Sequence, residues 1–170
     1  MLNRFWIMLF FPLGLLFNSC DKGLQPLEVV GPSAFSGKVT FVGKWPEGIK
    51  RTHLVVFKEE IKTVNDFFLP NLSFVVDSIP YGTKEFNYNS LEMPFSTIFT
   101  FAPGNYKYVV VAQSKTPEIT FIRSDWTVVG VYGESGNQAK PKIMSVSPGK
   151  TLTDVNITVD FNNPPPQPPK

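Results

Sequence analysis

Asp154-Val-Asn-Ile-Thr-Val-Asp-Phe161 places apolar side chains at 155, 157, 159 and 161 and polar ones at 156, 158 and 160. Successive side chains of a strand point to opposite faces, so this stretch reads as a strand with one face in a core and the other in water. Tyr106-Lys-Tyr-Val-Val-Val-Ala-Gln-Ser114 differs, because Val109 to Ala112 is apolar throughout, which predicts a central strand covered on both sides. Working outward, β-branched and aromatic runs broken by Gly, Pro and Asn predict further strands at 37–42, 52–58, 72–77, 96–101, 126–132 and 142–147. Residues 59–70 carry Ile61, Val64, Phe67 and Phe68 among charges, a spacing that allows a short helix or a packed loop. Seven to eight short strands without a long helical period predict an all-β chain folded as a single antiparallel β-sandwich.

The beginning of the chain is of another kind. Arg4 precedes a thirteen-residue apolar run from Phe5 to Phe17, followed by Asn18-Ser19-Cys20-Asp21. A basic start, an apolar stretch and small or polar residues make a signal peptide, and a run shorter than the about 20 residues needed to span a bilayer, with Pro12 inside it, favours cleavage over a permanent anchor. Cys20 is the sole cysteine, so it has no partner for a disulfide. Leu16-Phe17-Asn18-Ser19-Cys20 resembles the bacterial lipobox, although Phe17 and Asn18 depart from its common residues. That resemblance implies cleavage before Cys20 and lipid attached to its sulfur, with several acyl chains holding the protein on a membrane. The expected organisation is a lipoprotein signal peptide over 1–19, a lipidated tether over 20–35, the sandwich over 36–161 and a proline-rich tail over 162–170. Proline lacks the amide proton of a ladder, so the tail is expected to be extended and inert.

Within the sandwich, Ser36-Gly-Lys-Val-Thr-Phe41, then Ala102-Pro-Gly-Asn-Tyr106 leading into Lys107 to Ala112, then Ser147-Pro-Gly-Lys150 before Val155 to Val159 come in a characteristic order. The pattern resembles the carboxypeptidase-regulatory-like domain, a transthyretin-like (Ig-like) β-sandwich found in bacterial surface and periplasmic proteins. The resemblance implies a folding unit, spacer or binding module without a catalytic site. Each Pro-Gly pair suits a tight turn, with proline setting one φ and glycine supplying a positive one, and Tyr106 is expected to cap the core where its strand begins.

Few residues offer catalytic or metal chemistry. His53 is the only histidine, and with one cysteine in the whole chain neither a multi-histidine site nor structural zinc is expected. At the start of a strand, His53 reads as a solvent-facing or hydrogen-bonded imidazole rather than a catalytic one. Gly133-Glu-Ser135-Gly-Asn137 only superficially resembles a nucleophile elbow and reads as a polar loop. No cofactor is expected. Once Arg4 is removed with the signal peptide, 15 basic residues face 14 acidic ones, which argues against nucleic acid as a partner.

Aromatic residues near turns and strand ends are the remaining lead. Trp45, Tyr81, Tyr88 and Trp126 are candidate contacts for a sugar or a protein partner, and Phe86 lies among them. The expectation is a non-enzymatic binding or structural module of the bacterial cell envelope. It would be lipid-anchored on a periplasmic or cell-surface face, with envelope proteins or glycans as partners. Two other classes stay open: a carboxylate-dependent glycan hydrolase, which needs two carboxyls across a cleft, and a carrier of a small apolar ligand, which needs a cavity between the sheets.

Overall fold

The computed structural model describes residues 31–92, 95 and 101–169. Cys20, the signal peptide and most of the strand expected at 96–101 lie outside the described residues. The chain is all-β. Twelve strands form among the described residues: β1 (Ala34–Val42), β2 (Arg51–Phe57), β3 (Leu72–Val75), β4 (Glu85–Asn89), β5 (Gly104–Tyr106), β6 (Tyr108–Ser114), β7 (Trp126–Val131), β8 (Gly133–Glu134), β9 (Asn137–Pro141), β10 (Met144–Val146), β11 (Thr151–Leu152) and β12 (Ile157–Asp160). Two 3-10 turns, Val64–Phe67 and Arg123–Asp125, are the only helical elements described.

Strand β1 is the hub of one four-stranded sheet. Along one edge it pairs antiparallel with β4, and along the other it pairs parallel with β11 and then with β12. The expectation of a wholly antiparallel arrangement is therefore corrected at β1. Parallel neighbours need a long crossover, and here nearly the whole domain intervenes between them. The second sheet, in the order β3-β2-β6-β7, is antiparallel throughout. Among the described residues, pairs β5-β10 and β8-β9 complete the ladders, and none of the sheets closes into a barrel.

Alternation places the core. Phe35 and Val39 of β1, Leu54 and Val56 of β2, and Ile157 and Val159 of β12 belong to one buried cluster fed by both large sheets. In β12 Ile157 and Val159 are buried while Thr158 is exposed, as the sequence pattern requires. Every residue of β6 is buried, because β2 and β7 flank it and apolar groups cover both its faces. The tight turn forms at Ser147-Pro-Gly-Lys150, where Lys150 N donates to Ser147 O and Gly149 has a φ of 65°, whereas Pro103 is only a bend and Gly104, with a φ of 149°, already begins β5. Tyr106 is buried, stacks on Phe101 at 5.0 Å and donates its hydroxyl hydrogen bond to the Ala102 carbonyl. Glu134 to Asn137 is the turn of the β8-β9 hairpin, with positive φ at both Ser135 and Gly136, which suits the twist of a two-residue hairpin.

Two expectations about the ends of the domain change. The stretch read as tether contains Ala34 and Phe35, which begin β1 and are fully buried. The tail is extended but not inert. Gln167 accepts a hydrogen bond from Val128 N at 3.0 Å and donates one to Val128 O at 2.7 Å, so one amide side chain stands in for a strand residue at the open edge of β7. Gln138 accepts from Val131 N further along the same strand. An edge occupied in this way offers fewer free groups to another chain.

Candidate ligand-binding site

The register of β2 against β6 sets Arg51 opposite Ser114 and Phe57 opposite Tyr108, so His53 faces Ala112 and Val55 faces Val110. Leu54 and Val56 enter the core between the sheets. His53, Val55 and Phe57 must then point to the opposite, outer face. That face is also apolar: Phe57, Tyr108, Val110, Val128 and Val131 form a second buried cluster with Ile61 and Leu72. An apolar outer face has to be roofed, and two loops do this.

The first roof is the 59–71 segment, which brings Ile61 and Phe67 over the sheet. Its 3-10 turn is held by Asp66, whose carboxylate accepts from Thr63 N at 2.7 Å and Lys62 N at 3.0 Å. These bonds lower the Asp66 pKa below the ordinary carboxylate value. The second roof is the 119–123 loop, pinned where the Trp126 indole donates to Thr120 O at 2.9 Å. The roofs do not meet fully, and a cavity of about 70 Å³ remains between them and the sheet. Val55, Val110, Ala112 and Val128 make its floor, and Phe95, Phe121 and Trp126 contribute to its walls. Phe121 is 58% exposed and Ile122 equally so, marking an apolar surface beside the loop.

Among the described residues, His53, Thr120, Arg123 and the indole of Trp126 bring polar groups to this lining. The imidazole of His53 is 1% exposed, hydrogen-bonds through Nδ1 to Val76 O at 3.1 Å, and meets the rings of Phe95 and Trp126 edge-on at 5.4 and 6.0 Å. Burial lowers its pKa below the ordinary value, with nearby Arg51 acting in the same direction, while the Val76 bond and Asp77 oppose the shift. His53 Nε2 has no hydrogen-bond partner among the described residues. Arg123 is also buried and donates to Trp126 O at 2.6 Å and Pro168 O at 3.0 Å, tying the roof loop to the tail. Its charge is met by carbonyls, and its Nε is likewise unpartnered among the described residues. Burial lowers the Arg123 pKa.

The four aromatic candidates fall in three places. Trp45 and Tyr81 come together, 5.2 Å apart, and Trp45 packs on Phe41 and Phe161 while its indole donates to Thr83 O. Tyr81 is 57% exposed, so this pair sits at the surface end of the core. Tyr88 is 4% exposed and its hydroxyl donates to Val155 O inside the main cluster, which leaves it no face for an external ligand. Trp126 lies in the cavity wall. Reading the sequence missed Arg123 and the roof loop, although Ile119-Thr-Phe-Ile122 before an arginine was a visible apolar run outside the strand pattern. The apolar-carrier alternative was tied to a cavity between the sheets, whereas this cavity lies on the outer face of one sheet. A shallower groove under the tail is lined by Glu60, Tyr108, Gln138 and Gln167 among others, with Glu60 its single carboxylate. Set against known proteins, the chain matches no family model, no curated protein and no solved structure, so the reading of the site rests on its own residues.

Proposed function

We propose that the protein is a bacterial envelope lipoprotein, held to a membrane by lipid on Cys20, whose transthyretin-like β-sandwich is a non-enzymatic module that binds a small apolar ligand. The observation that carries the ligand-binding half of this reading is the cavity on the outer face of the β2-β6-β7 sheet, whose described lining is mostly apolar and includes no carboxylate. Ligand sites are typically concave and apolar with a few placed polar groups, and this cavity has that composition. A glycan hydrolase would need two facing carboxyls, and among the described residues neither this cavity nor the groove under the tail is lined by such a pair.

Two measurements test the two halves of the proposal. Ligand that binds only the folded state raises the unfolding midpoint, so toluene is expected to raise it for the natural chain. Ala112→Leu, which fills the cavity floor, is expected to weaken that response at least tenfold in toluene concentration. An equal response in both proteins would remove the cavity as the site. For the anchor, Cys20→Ala is expected to abolish incorporation of radiolabelled fatty acid and to leave the protein unprocessed or released from membranes. Unchanged labelling would refute lipidation at Cys20.

A further inference from the structure

The polar groups of the cavity give it a chemical preference. Building on the reading of the cavity as a ligand site, we propose that it selects small neutral molecules bearing a hydroxyl, of the phenol type, over hydrocarbons of the same shape, with His53 Nε2 accepting the hydroxyl proton in a hydrogen bond. The carbonyl of Val76 can only accept, so Nδ1 carries the imidazole proton and Nε2 presents a lone pair. That lone pair has no donor among the described residues, on a side chain only 1% exposed.

Among the described residues, the neighbours do not supply the missing donor. Phe95 has none, the Trp126 indole N–H is committed to Thr120 O, and the Thr120 hydroxyl donates to Asp125 at 2.8 Å. Ala112, directly across the ladder from His53, contributes only a methyl group and leaves room beside the ring. The charge of the ligand follows from the same residues. A cation would be buried in a lining that already contains the Arg123 guanidinium, and a carboxylate could meet that guanidinium but would leave the Nε2 lone pair without a donor. A hydroxyl both donates and accepts, so it suits a lining whose unpartnered groups are one acceptor, His53 Nε2, and one donor, Arg123 Nε. The aromatic walls, Phe95, Phe121 and Trp126, suit a flat ring.

Titration with p-cresol and with toluene tests the inference, because the two differ in the hydroxyl. The natural protein is expected to bind p-cresol about tenfold more tightly, the scale on which satisfying a buried polar group discriminates between ligands. His53 is the only histidine, so its ¹⁵N resonances are unambiguous. The Nε2 resonance should move on adding p-cresol and stay in place with toluene. His53→Phe should retain toluene binding and lose the preference. Should that variant fail to fold, the Nε2 resonance of the natural protein decides alone. Toluene binding with equal p-cresol affinity or an unmoved Nε2 would overturn the hydroxyl preference and leave the cavity reading intact, whereas binding of neither probe would overturn both.

Discussion

Phe35→Ala is expected to reduce the unfolding free energy by about 3–5 kcal/mol, the range for emptying a buried phenylalanine site. The ring is fully buried and meets Phe74, Tyr88 and Phe101 at centroid distances of 5.8, 5.8 and 4.7 Å, so it joins side chains from both sheets. Its surroundings are strands paired on several sides, which limits the collapse that would soften the loss. Urea unfolding of the two proteins gives the difference directly. A change below about 1 kcal/mol would return residue 35 to the tether, since exposed positions usually fall within that range.

The second large effect is expected two residues later. At Gly37 the carbonyl of Val155 lies where a Cβ would be, so any side chain overlaps backbone rather than a movable side-chain end. This close approach arises because the chain leaving β11 returns to β1 before β12 pairs with it. Val155 N donates to Ser36 O, and Asn156 receives the Lys38 amide at 2.9 Å. The same Val155 carbonyl accepts the Tyr88 hydroxyl bond. Gly37→Ala must push this crossing apart and disturb the parallel pairing, and is expected to cost about 3 kcal/mol, at the upper end for overpacking. The same urea measurement checks it, and Lys38→Ala serves as a neighbouring control expected to change little, since its ion pair with Glu85 is solvent-exposed.

How much of this was legible follows element by element. Strand β6 was readable from its unbroken apolar run and β12 from its alternation, whereas β2 and β7 were readable because β-branched and aromatic residues dominate them. Strand β4 was not, because Glu85-Phe-Asn-Tyr-Asn89 mixes residues that disfavour strands with two aromatics, and only pairing with β1 makes it extended. The tail was misread for a related reason. Proline content shows that it cannot form a ladder, but not that Gln167 reaches the edge of β7. Candidate site residues divided along the same line. Trp126 was recognisable as an aromatic at a strand end, whereas the isolation of His53 Nε2 depends on its cross-strand partner being Ala112 and on a loop seventy residues away in sequence. No local pattern encodes that meeting.

Ligand binding on the outer face of the β2-β6-β7 sheet would be visible at the methyl groups that line it. Methyl-resolved NMR of the purified protein titrated with toluene addresses it most directly. Saturable shifts are expected at Val55, Val110 and Val128 on the cavity floor, with Val39, Val56 and Ile157 in the core between the sheets little changed. Shifts that are absent, that fail to saturate, or that centre on the core between the sheets would contradict it.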